Sequence, residues 1–188
     1  MADAAPDVLW TPDPDRPTAM AEFRAFVREH RGVDATGYAA LHRWSVDDLD
    51  GFWSAAAEFL GVRWHDRPTA TLGSRTMPGT EWFPGGTLNY AEHALQGRDE
   101  DAAVVFARED GLRRTVTYGE LREQVGRARA GLVALGVGRG DRVVALAPNS
   151  VETLVAFLAA ASLGAVWSSC SPDFGARAVH DRFAQTEP

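Results

Sequence analysis

The residues best placed for chemistry are Ser171, Pro172, Asp173 and Phe174, which follow a short run of β-type residues, Ala165–Ser169. Open α/β sheets bind ligands at the carboxyl ends of their strands, and a helix that begins there offers free N–H groups to a polar or anionic ligand. The Asp173 carboxylate disfavours direct contact with a phosphate but can accept hydrogen bonds from an amide or a hydroxyl. The residues alone favour ligand contact and simple capping of the next helix by Asp173 equally.

Other residue types that could carry chemistry lack the spacing that the chemistry requires. Gly136, Gly138 and Gly140 close a helix and precede a strand, whereas a dinucleotide-binding fingerprint follows a strand and opens a helix. Neither the Gly-Lys-Ser/Thr triplet of a phosphate loop nor the G-x-S-x-G of a hydrolase occurs. The 5 histidines show no metal-ligand spacing and Cys170 is the single cysteine. We therefore expect no metal site and no catalytic residue, and interpret Cys170 as a small buried residue.

Composition excludes several classes of partner. A net charge of -7 and a pI of about 5.2 disfavour nucleic-acid binding, which needs a basic surface. One cysteine excludes an intrachain disulfide and favours a reducing compartment, so we predict a cytoplasmic location. The longest apolar run is far shorter than the ~18 residues that span a bilayer, so we expect no membrane segment. The oligomeric state stays open.

The elements that position the Ser171–Phe174 segment form a βαβ unit. Arg142–Ala147 and Ala165–Ser169 have β-type character, and the helical run Val151–Leu163 lies between them. A parallel pair of strands needs a crossover of this length. The helix is apolar on nearly all faces, so we expect it to be buried. Asn149 is predicted to cap this helix, with Glu152 completing a capping box.

A hairpin and an amphipathic helix are predicted before the βαβ unit. Ala102–Arg108 and Leu112–Thr117 are interpreted as strands joined at an Asp-Gly dipeptide, which favours tight primed turns. Thr117 and Glu120 form a capping box at the start of the following helix. That helix is expected to bury a stripe of Leu121, Val125, Ala128, Leu132 and Leu135. After the second strand of the βαβ unit, a last helix is expected to turn Ala176, Val179 and Phe183 inward.

The N-terminal half is predicted to be mainly helical. Residues 1–17 are rich in Pro and Asp and are interpreted as an extended arm in which Trp10 is free to dock. Helical spacing predicts one helix over Thr18–His30 and a second that begins at a capping box on Ser45 and ends at Gly61.

An irregular connection is predicted to follow these two helices. Residues 61–86 contain several prolines, which exclude a long helix, so the segment should be held by its aromatic side chains. A short helix is expected over Asn89–Leu95.

Four ordered motifs resemble the N-terminal part of the adenylate-forming acyl-CoA synthetases. The motifs are Trp82–Glu92, Thr117-Tyr118-x-Glu120-Leu121, Pro148-Asn149-x-x-Glu152 and Leu163–Gly175. The last of them, with Ser-Pro-Asp-Phe-Gly after the strand, is more similar to members that activate acetoacetate. Members that activate acetate usually carry a Gly-Phe-Ser type sequence there.

The resemblance implies an α/β fold and a two-step ligase reaction. An N-terminal helical cap over residues 1–98, with its arm at 1–17, would precede the first part of a large mixed or parallel-sheet AMP-binding domain at 99–188. A carboxylate, here acetoacetate, would attack the α-phosphate of ATP with Mg²⁺ to give an acyl-adenylate and pyrophosphate. The CoA thiol would then displace AMP. The resemblance places Ser171, Pro172, Asp173 and Phe174 beside CoA.

The family's adenylation lysine has no counterpart here, since the sequence contains no lysine. The resemblance implies that the family's phosphate loop and its acidic nucleotide-binding residues follow residue 188. We therefore expect a fragment of a longer enzyme that is inactive alone and binds ATP, CoA and Mg²⁺ weakly or not at all. Two alternatives stay open. One is a ligase for acetate or another short acid, and the other is a stand-alone module that binds a partner or nucleotide without catalysis.

Overall fold

The computed structural model describes Thr11, Asp13 and residues 16–188. The chain divides into two units, Met1–Thr87 and Leu88–Pro188, and each has its own apolar core. The arm predicted over residues 1–17, including Trp10, lies almost wholly outside the described residues. The boundary predicted between residues 98 and 99 stays a prediction. No helix in the described part of the chain is both long enough and apolar enough to cross a membrane.

The first unit contains three helices, α1 (Ala19–Arg31), α2 (Gly37–Asp47) and α3 (Leu49–Phe59). The helix α1 begins and ends within one residue of the predicted Thr18–His30. The Thr18 hydroxyl accepts a hydrogen bond from the Ala21 N–H at 3.2 Å, and Gly32 ends the helix at φ 64°, a left-handed conformation that suits glycine.

The helix α2 was not predicted, and the start of the next helix at Ser45 is wrong. Ser45 lies inside α2, where its hydroxyl donates to the carbonyl oxygen of His42 at 2.7 Å. Asp48 both ends α2 and caps α3, because its carboxylate accepts a hydrogen bond from the Gly51 N–H at 3.0 Å. The same acidic residue therefore serves two helix ends, and the predicted capping box began three residues early.

Aromatic rings pack between the helices of the first unit and within the irregular segment that follows them. Phe23 packs against Phe52 at 5.7 Å and against Phe59 at 5.1 Å between ring centroids, joining α1 to α3. The irregular connection after α3 is confirmed, and it contains only isolated β-bridges in the described residues, between Asp66 and Thr87 and between Leu72 and Trp82. The rings of Trp64 and Phe83 lie 5.1 Å apart in this segment.

The second unit follows the predicted order of elements. It contains α4 (Tyr90–Ala94), β1 (Ala102–Ala107), β2 (Arg113–Thr117), α5 (Tyr118–Ala134), β3 (Arg142–Leu146), α6 (Val151–Ser162), β4 (Val166–Cys170) and α7 (Ala176–Ala184). Strands β1 and β2 pair antiparallel, with Val104 opposite Val116. Strands β3 and β4 pair parallel, with Val144 opposite Ser168, which confirms the βαβ unit.

The hairpin loop between β1 and β2 has the three residues that the predicted strand ends leave between them, but not the primed turn that the Asp-Gly dipeptide favours. The Arg108 N–H donates to the Leu112 carbonyl at 2.9 Å, and the Gly111 N–H donates to the Arg108 carbonyl at 3.1 Å. The loop is therefore a three-residue turn closed by Gly111 at φ 89°, rather than a two-residue primed turn.

Burial in the second unit centres on α6. Val151, Val155, Leu158, Ala159 and Ala160 are buried there, as its apolar composition predicts. The capping box of Thr117 and Glu120 on α5 is confirmed. Two predicted inward positions are wrong, since Leu135 lies past the end of α5 and is exposed, and Ala176 is exposed on α7. Val179 and Phe183 of α7 are half-buried, as an amphipathic end helix requires.

Candidate functional site

Two loops leave the sheet at the same edge. Because β3 and β4 are parallel, residues 148–150 after β3 and residues 171–174 after β4 both follow the carboxyl ends of their strands. The Ala147 N–H donates to the Cys170 carbonyl at 3.1 Å and extends the pairing one residue beyond β3. This edge is the place where an α/β sheet binds ligands, and it contains all four residues that the sequence marked as a site.

Ser171 and Asp173 fold the second loop into a tight turn. The Ser171 hydroxyl donates to an Asp173 carboxylate oxygen at 2.8 Å, and the Phe174 N–H donates to the Ser171 carbonyl at 3.2 Å. Capping of the next helix by Asp173 is wrong, because the N-cap residue of α7 is Gly175, without a side-chain hydrogen bond. The carboxylate of Asp173 is instead occupied by its own loop. Pro172 lies exposed between these residues.

Phe174 is joined to α7 by a contact that the sequence did not indicate. The guanidinium carbon of Arg182 lies 4.5 Å from the centroid of the Phe174 ring, which is 38% exposed. Such a contact is a cation–π interaction and orients the ring. Phe174 and Arg182 are eight residues apart, and this spacing corresponds to no known sequence motif. The contact forms because the Arg182 side chain points back toward the N-terminus of α7.

The helix α6, which follows the first loop, begins at a different N-cap residue from the predicted Asn149. The Ser150 hydroxyl accepts from the Thr153 N–H at 3.3 Å and is the N-cap of α6, whereas the Thr153 hydroxyl donates to the Pro148 carbonyl at 2.7 Å. Asn149 is exposed and forms no side-chain hydrogen bond in the part of the chain that the structure describes. The prediction that Asn149 caps α6 is therefore wrong, because the N-cap is the next residue, Ser150. The Asn149 side chain is exposed to solvent.

A cleft of about 810 Å³ lies between this loop and the tip of the β1–β2 hairpin. Arg108 pairs with Asp110 at 2.7 Å, and Arg114 pairs with Glu152 at 3.2 Å. Both ion pairs belong to the lining of the cleft, together with Phe106, Leu112, Pro148 and Asn149. Four charged side chains of the lining are thus neutralised in pairs, and Glu109, which also lines the cleft, adds one further negative charge.

The Glu152 carboxyl is the group in this region whose acidity the structure changes. Its own backbone N–H and the Ser150 hydroxyl hydrogen-bond to the carboxylate and, with the nearby Arg114 guanidinium, lower its pKa below the usual 4.5. Hydrogen bonds to the charged form favour that form. Glu152 therefore acts as a fixed negative charge at the N-terminus of α6, where the helix dipole also favours it.

The arrangement as a whole suits binding better than proton transfer. The edge presents an aromatic ring and a guanidinium, which suit a ligand with a planar ring and negatively charged groups, and the Asp173 carboxylate beside them suits a hydrogen-bond donor. Cys170 is buried at the end of β4, as expected for a packing residue.

Comparison with known proteins identifies the family. The profile described as "AMP-binding enzyme" matches residues 91–188, and the profile "Acetyl-coenzyme A synthetase N-terminus" matches residues 38–94. The chain belongs to the AMP-binding enzyme family, as the four motifs predicted.

Individual relatives are similar over nearly the whole chain. The structure titled acetoacetyl-CoA synthetase from Streptomyces lividans matches with a TM-score of 0.91 and 50% identity, covering 97% of this chain and 29% of that one. Acetoacetyl-CoA synthetases of Danio rerio and of Rhizobium meliloti (strain 1021) are 40% and 41% identical over 96% of this chain. The chain spans 28% of the length of each of these two relatives. The fold corresponds to the N-terminal part of an AMP-binding enzyme, with a helical region first.

Proposed function

We propose that this chain is the N-terminal part of an ATP-dependent acid–CoA ligase that forms acetoacetyl-CoA from acetoacetate, ATP and CoA through an acyl-adenylate. The observation that carries the proposal is the match to the Streptomyces lividans synthetase, which extends over 97% of this chain at 50% identity. Because the chain spans 28% or 29% of its relatives, the activity is proposed for a whole protein of that kind. The chain alone is expected to have no turnover.

Within this proposal, Ser171, Pro172, Asp173 and Phe174 contact CoA. Their position supports the assignment, since they follow the carboxyl end of β4 and present an aromatic ring beside a cation. CoA supplies the thiol that accepts the acyl group, and the loop would orient its nucleotide end. ATP and Mg²⁺ are assigned to no residue of this chain. We also propose a cytoplasmic location, in keeping with the free thiol of Cys170.

A chimera tests the ligase proposal directly. This chain is joined to the remainder of the Streptomyces lividans synthetase in place of the matching segment, and pyrophosphate release is measured with ATP, CoA and acetoacetate. We expect acetoacetate-dependent release within about tenfold of the parent synthetase, because the replaced segment has the same fold. A chimera that unfolds cooperatively but releases no pyrophosphate above its acetoacetate-free blank would contradict the proposal.

The isolated 188-residue chain is the companion sample. Acetoacetate-stimulated pyrophosphate release from this chain alone would overturn the part of the proposal that makes it inactive without further sequence.

A ligase for acetate or another short acid is the second candidate. It is favoured by the match of residues 38–94 to the acetyl-coenzyme A synthetase profile. The whole protein that contains this chain distinguishes the two, through the ratio of kcat/KM for acetoacetate to kcat/KM for acetate. A ratio above one supports acetoacetate, and a ratio below one supports the second candidate.

A further inference from the structure

The helix α7 has two arginines and one acidic residue, whereas the chain as a whole is acidic. Arg177, His180 and Arg182 lie on it with one acidic residue, Asp181, while the chain as a whole has a net charge of -7. Asp181 lies 3.9 Å from Arg177 and 3.6 Å from His180, so its carboxylate is shared by those two side chains. Arg182 forms no salt bridge with any residue that the structure describes, so its charge is available to a ligand.

Arg182 is also the basic residue of α7 that contacts the predicted site. Its guanidinium covers part of the Phe174 ring at 4.5 Å, and the ring remains 38% exposed. A planar guanidinium can stack on an aromatic ring and still direct its N–H groups sideways to a phosphate, which an ammonium group does less well. The Phe174 ring and the Arg182 guanidinium therefore form one continuous surface at the end of the loop that follows β4.

We infer that Arg182 is a positioning and affinity-determining residue for CoA, which orients the Phe174 ring and attracts a phosphate of the ligand. The inference rests on the proposed function. CoA presents an adenine ring together with a diphosphate and a 3′-phosphate. An aromatic face stacks on a base, and a guanidinium binds phosphate through charge-assisted hydrogen bonds. The surface of Phe174 and Arg182 matches both parts of the ligand.

Arg182→Ala in the chimera with the Streptomyces lividans remainder tests the inference. We expect the Kd for CoA, measured by calorimetric titration, to rise by about tenfold, as the loss of one charge-assisted contact implies. Acetoacetate-dependent exchange of pyrophosphate into ATP should stay within about twofold, because adenylation does not involve CoA. Arg182→Lys should recover part of the affinity through its charge.

Arg177→Ala is the matched control. Arg177 lies on the same helix with its side chain 96% exposed, so its loss should change the CoA affinity by less than about twofold. Repeating the titrations with 3′-dephospho-CoA shows which phosphate of CoA the Arg182 side chain contacts. A smaller effect of Arg182→Ala on this analogue assigns the contact to the 3′-phosphate, and an equal effect assigns it to the diphosphate. Either result supports the inference.

Three outcomes overturn it. The first is an unchanged Kd for CoA in Arg182→Ala. The second is a loss of pyrophosphate exchange in proportion to the loss of CoA affinity, which would indicate a purely structural role. The third is a cooperatively folded chimera that binds no CoA. The exchange reaction of the unmutated chimera reports separately on the proposed ligase function, because it requires acetoacetate and ATP but not CoA.

Discussion

The Asn89 side chain donates a hydrogen bond to the carbonyl oxygen of Ala161, 72 residues away, at 3.0 Å. The same amide nitrogen lies 3.4 Å from the Ser162 carbonyl, and the amide oxygen accepts from the Glu92 N–H at 3.2 Å. The last carbonyls of a helix and the first N–H groups of another are groups without partners inside their own helix. One side chain therefore satisfies the C-terminal end of α6 and the N-terminal end of α4 together.

Asn89→Asp should destabilise the chain by about 1–3 kcal/mol. The carboxylate keeps the acceptor for the Glu92 N–H but places a negative oxygen against the carbonyls of α6, where the amide donated. Urea unfolding of the purified chain, followed by circular dichroism, measures the change. Asn149→Asp is the control, because Asn149 is exposed, and it should change stability by less than about 0.5 kcal/mol. Equal effects of the two substitutions would show that the contact with Ala161 contributes nothing.

Replacing two glycines of the second unit by alanine should change the stability of the chain in opposite directions. Gly126 lies within α5, and a Cβ added there would meet no atom within 4 Å. Gly126→Ala should stabilise by about 0.5–1 kcal/mol, since glycine is the poorer helix former by that amount. At Gly97 a Cβ would lie 2.3 Å from the Tyr118 ring, so Gly97→Ala should lower the melting temperature. A melting temperature raised by both substitutions would contradict the packing of Tyr118 on Gly97.

Elements whose caps and apolar pattern agree could be predicted from the sequence. Thr18 and Gly32 bound α1, and Thr117 begins α5, as their residue types indicate. The helix α2 lacked both signals, because Thr36 forms no side-chain cap and Leu41 is its one buried residue among those described. A helix held by so little burial leaves no clear stripe in the sequence.

The sequence predicts that a helix is present more reliably than it predicts which residue is the N-cap of that helix. Asn149 and Ser150 are adjacent and both are good capping residues, so the sequence does not decide between them. The backbone decides: Ser150 has the extended conformation, φ -129° and ψ 167°, that an N-cap requires.

The sequence predicted where the candidate site lies in the fold, but not which side chains contact one another there. The order of strand, helix and strand placed residues 171–174 at the sheet edge. The contact of Arg182 with Phe174 depends on a side-chain rotamer, and the pairing of Arg114 with Glu152 joins residues 38 apart in the sequence. Neither leaves a local pattern.

Removing the Thr117 hydroxyl should weaken the start of α5. It accepts from the Glu120 N–H at 3.3 Å, and the Glu120 carboxylate accepts from the Thr117 N–H at 3.0 Å, so each side chain satisfies the other residue's backbone. Thr117→Ala should cost about 1 kcal/mol in the free energy of unfolding. Thr117→Ser keeps the hydroxyl and should recover more than half of that loss. A serine variant as unstable as the alanine variant would exclude the capping bond as the cause.

Stability should depend on pH through Glu152. Its pKa in the folded chain is lowered below 4.5, so the folded state favours the carboxylate. The contribution is present above the unfolded-state pKa and is lost as the pH falls through the folded-state value. Glu152 is 71% exposed, so Glu152→Gln should cost less than about 1 kcal/mol at pH 7. In urea unfolding, the difference from the unmutated chain should be constant at pH values well above 4.5 and should shrink as the pH falls below 4.5.

The origin of this pH dependence can be tested with Arg114. The backbone N–H and the Ser150 hydroxyl lower the pKa of Glu152 more than the Arg114 guanidinium does. In an Arg114→Gln background, Glu152→Gln should therefore retain more than half of its pH-dependent effect. In a Ser150→Gly background the pH-dependent effect should also become smaller, because the carboxylate loses the hydroxyl while the helix keeps an acceptable N-cap residue. If the effect instead disappeared with Arg114 and persisted without Ser150, the ion pair at 3.2 Å would be the main cause of the lowered pKa.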